Sequence, residues 1–494
     1  MRVKARAAHR WRERALTARR LCLAGVLSAL CIGHLASATS VSAETLRQAL
    51  ASAYSANPRL DAERARLRAT DEEVPRALSG YRPRITGSAD GGLSRAETKP
   101  DSASAGEARP WGYSLTVSQS IFNGFRTGNA VGEAEAQVRA GREQLREVES
   151  QVLLDAATAF ADVVRDGEVL RFREANVAAL SRVLQATEAR QTAREVTRTD
   201  VAQARSRLAR ALAQQDLASG NLKASRATYT RAVGHPPAGL VAPSPPKKQL
   251  PRALEEALAI ADRESPGVVG ALYREAADRH GVARIRGELM PEVRLEANYG
   301  TRHGQLGGID EQQAASVTGR LSMPLYEGGE THARVRQAKH RHVARLQEIE
   351  QARQEAQASV TQAWARYQAT RGQLRANRMA AEAARLALEG VREEERGGQR
   401  TVLDILNAEQ EHLDAQVQVV SARRDLVVAA YTLLAQMGRL TATEMELADP
   451  AYDAEANYLA VRNRWFGLDI TRADGRRENL NVAVDADPNW SLDD

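Results

Sequence analysis

Ile121-Phe122-Asn123-Gly124 returns 204 residues later as Leu325-Tyr326-Glu327-Gly328. The same step carries Asp200 onto Asp404 and Gly234 onto Gly438. Nearer the N-terminus the step is 208: Thr45–Leu50 resembles Ala253–Leu258, Pro58 falls on Pro266, and Pro83 on Pro291. Two halves in one order, with a single change of four residues between landmarks, identify a tandem structural repeat.

The residues leading into each of these stretches alternate. Tyr113, Leu115 and Val117 interleave with Ser114, Thr116 and Ser118; Val317, Gly319, Leu321 and Met323 interleave with Thr318, Arg320 and Ser322. Upstream, Val293, Leu295, Ala297 and Tyr299 interleave with Arg294, Glu296 and Asn298. Period-two alternation over about ten residues is the signature of a membrane barrel strand. A fourth strand is expected near Arg84–Leu93, diluted by Gly87, Gly91 and Gly92. Each half supplies one hairpin, with its connection near Ser94–Pro110 or Arg302–Ala314. Four strands are too few to close a barrel within one chain. The strands therefore form either an ordinary soluble sheet or a barrel shared by several copies.

Beyond each stretch the pattern turns helical. No proline occurs between Pro110 and Pro236 or between Pro324 and Pro450, and proline costs about 3 kcal/mol inside a helix. Ala, Arg, Glu, Gln and Leu fill both gaps. Val138, Gly141, Leu145, Val148, Val152, Ala156, Ala159 and Val163 step by three and four, as do Val335, Ala338, His342, Leu346, Ile349, Ala352, Ala356 and Val360. That is a coiled-coil seam of small residues. It predicts a helix over about Asn129–Glu195, on the order of 100 Å long, which suits a duct or a stalk better than a compact enzyme.

The chain has 494 residues, of which only 4% are aromatic, thin for several conventional cores. Its net charge of +6 is set by residues 1–43, which hold eight of the 69 basic groups and one of the 63 acids. Without them the balance is near −1, so no basic surface is offered to nucleic acid. That basic stretch runs into apolar Leu21–Leu35 and ends Val41-Ser42-Ala43, the order of a secretory signal peptide cleaved before Glu44. Both cysteines, Cys22 and Cys31, lie within it; the mature chain then has no thiol chemistry. An exported chain without a spanning helix enters a membrane only as β-strands.

The expected organisation is a signal peptide (1–43), a first repeat (44–240), a Pro-rich linker (241–252), a second repeat (253–440) and a C-terminal periplasmic tail (441–494). The tail carries Tyr452, Tyr458, Trp465, Phe466 and Trp490 outside the duplication.

Over about residues 44–440 the chain resembles the bacterial outer-membrane efflux and secretion ducts named after TolC. Pro324-Leu325-Tyr326-Glu327-Gly328-Gly329 matches their strand-to-helix element, with Phe122 and Gly124 its first-half counterparts of Tyr326 and Gly328. Gly398–Gln410 resembles the helix lining the periplasmic entrance. Its wording, with Ala429-Ala430-Tyr431 and Met437-Gly438-Arg439-Leu440, is most similar to the type I secretion branch. The resemblance implies a mixed α and membrane-β fold: an internally duplicated coiled-coil barrel of long helices, with four strands per chain in a shared twelve-stranded trimeric β-barrel. It implies a homotrimeric outer-membrane channel-tunnel for protein secretion, its helices in the periplasm. The implied partners are a periplasmic adaptor, an inner-membrane ABC or proton-driven transporter, the transported polypeptide or small molecule, and outer-membrane lipid. The alternatives are a small-molecule efflux duct of the same family and a poreless periplasmic coiled-coil scaffold.

Asp404 and Asn407, three apart on one helical face, are implied as an entrance ring, Asn407 being neutral where the family often has a carboxylate. Arg400 is implied to bond across to Thr199 and Asp200 as a gate link, while Glu395 stands where the family has a further tyrosine contact. Local readings compete with these: Asp404 at the positive end of its helix, and Thr199 or Asp200 as a helix cap. No phosphate loop, dinucleotide fingerprint or nucleophile elbow occurs, so no cofactor and no catalytic residue is expected. His332, His340 and His342 sit among Arg334, Arg336, Lys339, Arg341 and Arg345 without the i,i+4 spacing of a zinc pair, and read as a solvated basic face.

Overall fold

The computed structural model describes residues 43–96, 106–305, 309–448, 451–472 and 475–479. The expected signal peptide, apart from Ala43, lies outside these residues, as do Trp490 and both hairpin tips. The first half runs α1 (Leu46–Ala56), α2 (Pro58–Asp71), α3 (Glu73–Leu78), β1 (Arg84–Gly91), a minor hairpin of β2 (Ser94–Ala96) and β3 (Gly106–Ala108), β4 (Trp111–Asn123), α4 (Arg126–Thr192) and α5 (Arg198–Val233). The second runs α6 (Leu254–Glu264), α7 (Pro266–Arg286), β5 (Glu292–Gln305), β6 (Ile309–Ser322), α8 (Glu330–Arg396) and α9 (Val402–Gln436). A short α10 (Ala456–Val461) comes after them in the tail.

Both offsets read from the sequence recur in the elements. Helices α1 and α6 start 208 residues apart, as do strands β1 and β5; α4 and α8, each of 67 residues, start 204 apart. The change falls inside the hairpins. The halves differ at one place for a local reason. Pro75 lacks the N–H that would bond back to Asp71, and the helix breaks at Glu72 between α2 and α3. Its counterpart at the 208 offset is Ala283, and α7 runs through unbroken.

The long helices begin about three residues earlier than the seam predicts. Phe125 takes a left-handed conformation (φ 62°) immediately before α4, and Gly329 (φ 88°) does the same before α8. At the far end Arg194 (φ 64°) and Gly398 (φ 76°) occupy matched positions. Arg194 N–H bonds Gln191 O and Glu195 N–H bonds Arg190 O, the paired closure of a helix C-terminus; Gly398 and Gln399 repeat it on Glu395 and Glu394.

The four principal strands form one antiparallel sheet in the order β1-β4-β5-β6. Register puts like with like. Leu115 lies opposite Tyr299 and Gly87, Val117 opposite Ala297 and Ile85, and Ala297 opposite Val317. These pairs make one face apolar from edge to edge. On the other face Ser88 and Ser114 share a 2.8 Å bond and Thr116 donates to Asn298 at 2.8 Å. Strands β1 and β6 are left as edges.

The main core lies midway along the molecule. Leu50 from α1, Phe160 from α4, Tyr229 from α5, Val360 from α8 and Leu433 and Leu434 from α9 are all fully buried in it. From Phe160 to the end of α4 at Thr192 the helix projects on the order of 50 Å beyond that core. The sheet is at one end of the molecule and the tips of the coil pairs α4/α5 and α8/α9 at the other.

Candidate functional site: the helix tips and the strand-to-helix junctions

Each returning helix starts with the same local device. Thr197 caps α5: its hydroxyl accepts from Asp200 N–H, while Asp200 Oδ2 accepts from Thr197 N–H at 2.9 Å. Thr401 and Asp404 repeat this at α9. The Thr197 and Thr401 backbone N–H groups, with the hydroxyls second, hold both carboxyls below the usual carboxylate range. Both are therefore ionised at neutral pH. Each uses Oδ2 for both bonds to its threonine. The cap is thus Thr197, with Asp200 completing the box, and Thr199 is exposed in the first turn.

Arg400 is turned toward its own hairpin. Its Nε lies 2.8 Å from Glu394, whose carboxylate raises the guanidinium's pKa. Among the described residues it makes no bond to Thr199 or Asp200 within the chain. The two coils are instead joined at their tips by Arg190 of α4 and Glu395 of α8, 2.6 Å apart, with the glutamate side chain largely buried. This ion pair stands at Glu395, where the family resemblance implied a tyrosine contact. A second bond runs from Arg207 of α5 to Asn407 Oδ1 of α9 at 3.0 Å. Between Asp404 and Asn407, Leu406 is buried against Leu180 of α4 and Ala211 of α5. Sequence reasoning missed Arg190 and Arg207; each is one arginine among many on an amphipathic helix, and only the register between helices singles it out.

At the other end, Gly124 (φ 63°) packs so closely on Gly287 that a Cβ added to it would lie 2.3 Å from the Gly287 carbonyl oxygen. Phe122 stacks edge-on against Phe125, 5.3 Å between ring centres. In the second half Gly328 (φ 64°) and Gly329 meet nothing within 4 Å, and Leu325 and Tyr326 are almost fully exposed. The first junction is closed by the chain's own second half; the second junction is open. Of the basic cluster starting α8, His342 Nε2 lies 2.6 Å from Glu275 and Arg334 is paired with Glu288, both across to the α7 side. No helix among the described residues is long and apolar enough to cross a membrane.

The geometry is that of two long helical coils under an open four-stranded sheet with one apolar face, and the comparisons agree. Residues 49–235 and 259–439 each match the outer membrane efflux protein family, one match per repeat. The chain is 37% identical over 428 residues to the outer membrane efflux protein BepC of Brucella suis, covering 86% of this chain and 92% of that one. It is 25% identical over 341 residues to the alkaline protease secretion protein AprF of Pseudomonas aeruginosa, covering 67% and 70%. Its fold is similar to the Campylobacter jejuni CmeC outer membrane channel, with a TM-score of 0.74 at 14% identity over 85% of this chain and 89% of that one. The chain belongs to the outer membrane efflux protein family, an outer-membrane protein with its helical portion in the periplasm.

Proposed function

We propose that three copies of this chain form the outer-membrane channel-tunnel of a type I protein secretion system, opened by a periplasmic adaptor and an inner-membrane ABC transporter. Two unpaired sheet edges per chain support sharing, because an open edge cannot be satisfied in lipid. The apolar face of the sheet would meet lipid, and the face carrying Ser114, Thr116 and Asn298 would line the lumen. The tunnel passes its cargo without altering it.

The observation that carries the secretion branch is the similarity to AprF over 67% of the chain, together with the wording of Gly398–Gln410 at the entrance. A specific observation favours a second reading: BepC, at 37% identity, is named an efflux protein, which fits a small-molecule duct. The two readings part in one experiment. Deleting the gene should abolish appearance of a type I polypeptide substrate in the medium, and restoring it should return secretion. Normal polypeptide secretion combined with hypersensitivity to small toxic compounds would establish the efflux reading instead.

At the entrance, Asp404 of three copies would form a carboxylate ring, with Asn407 a neutral second level. Asp404 Oδ1 is spared by the capping box, and its depressed pKa keeps it charged. Asp200 is spared in the same way, so a closed assembly has a carboxylate oxygen, beside Thr199, to which Arg400 can reach between coils. In this reading Arg190–Glu395 is the latch within each chain and Arg400 with Thr199-Asp200 the latch formed on assembly.

A further inference from the structure

The tail climbs. After the core it tracks the groove beside α2 and α4: Tyr452 N–H bonds Tyr54 Oη, Asn457 of α10 donates to Asp71, and Arg462 pairs with Glu135 at 2.9 Å. It reaches the residue pair ahead of β1, where Arg82 donates to the Arg464 carbonyl at 2.7 Å and lays its guanidinium over the Trp465 ring, 4.8 Å from the centre. Arg82 is two residues ahead of β1, at the strand-to-helix boundary, so this loop lies at the periplasmic rim of the barrel.

The loop is built around Arg464. Its Nε and Nη1 donate to the carbonyls of Phe466 and Asp469, both at 3.0 Å, and it pairs with the Asp469 carboxylate. Gly467 takes a backbone conformation (φ 118°) that residues with a side chain rarely adopt. The result is a fixed turn with its apolar residues outside: Phe466 is 85% exposed, Leu468 88% and Trp465 58%. In a chain with five phenylalanines and five tryptophans, Trp465, Phe466 and Leu468 together make an exposed apolar patch on this turn. Tyr81, next to Arg82 in the chain, and Ile85, on the apolar face of β1, are exposed apolar residues as well.

We propose that the loop Arg464–Asp469 inserts Trp465, Phe466 and Leu468 into the periplasmic leaflet of the outer membrane, making the C-terminal tail a strap that fixes the helical barrel to the bilayer. Aromatic side chains prefer the membrane–water interface, and a small apolar patch beside an embedded barrel partitions there without a spanning segment. The inference rests on the barrel reading.

The test uses spin labels on the exported chain, which has no cysteine after residue 43, reconstituted into phosphatidylethanolamine–phosphatidylglycerol vesicles. One label is placed at Leu468→Cys and a barrel control at Val317→Cys. Collision with lipid-soluble oxygen and with an aqueous nickel chelate is measured at each. The expected result is that both labels gain oxygen collisions and lose nickel collisions on reconstitution. A Leu468 label in water beside a Val317 label in lipid overturns the strap while leaving the barrel standing. A Leu468 label shielded from both reagents means a neighbouring copy covers the loop, which also overturns it. Both labels in water would sink the barrel reading and the strap with it.

Discussion

Replacing Glu395 by glutamine should loosen the closed tunnel tip. The amide keeps the size of the side chain but removes the charge 2.6 Å from Arg190, where the pair joins α4 to α8 within one chain. Arg190 is 45% exposed at its side chain, so a surface-pair value applies: about 0.5 kcal/mol, inside the usual range of ~0.2–1 kcal/mol. Three chains opening together would lose about 1.5 kcal/mol, roughly a tenfold rise in the open-to-closed ratio by the Boltzmann factor. Single-channel recording in a planar bilayer reads this as open probability. Salt supplies an internal control, because the screening length falls from about 10 Å at 0.1 M to about 3 Å at 1 M. Wild-type open probability should climb with salt, and the Glu395→Gln channel should respond less. Arg190→Ser should resemble Glu395→Gln, and the exchanged pair Arg190→Glu with Glu395→Arg should restore closure. Folded trimers of both single variants with wild-type open probability would refute the reasoning, as would an exchanged pair no tighter than the single variants.

Arg194→Gly should stabilise the chain by about 1 kcal/mol, since it places at φ 64° the residue that the second half already uses at Gly398; urea unfolding checks this, and an unchanged midpoint contradicts it. The capping carboxylates give a pH dependence of definite sign. Asp200 and Asp404 have depressed pKa values, so their stabilisation is present above the ordinary carboxylate value of about 3.9 and lost as pH falls through the depressed one. Hydrogen exchange should therefore show the Thr197 and Thr401 amides losing protection in acid before the middle of α5 and α9 does, and equal loss would contradict it. Asp404→Ala should weaken cation selectivity of the conducting channel through loss of the entrance ring; reversal potentials unchanged in a salt gradient would leave Asp404 as a cap residue alone.

How far the sequence reached depended on whether the cause was local. Proline gaps and glycine landmarks express backbone rules, and they located both repeats, both long helices and the four-residue change inside the hairpins. Alternation is equally local, and the register confirmed it by stacking Leu115, Tyr299 and Gly87 on one face. The helix ends were missed by about three residues because Phe125 and Arg194 adopt a conformation that sequence assigns to glycine. The tip contacts were less legible. Glu395 was noticed only as the loss of a tyrosine, since its partner lies 205 residues away on a different helix and is set by how α4 and α8 are phased. The path of the tail was invisible for the same reason: its anchors, Tyr54, Asp71, Glu135 and Arg82, are scattered through the first half and come together only on folding.

The central claim is that this chain makes a continuous conduit through the outer membrane. Purified chain, shown by cross-linking to be trimeric, should insert into a planar lipid bilayer and give discrete, long-lived, cation-selective conductance steps, each from one trimer. A folded trimer that associates with the bilayer and never conducts, even with Glu395→Gln and Arg400→Ser combined to open the tips, would contradict the account.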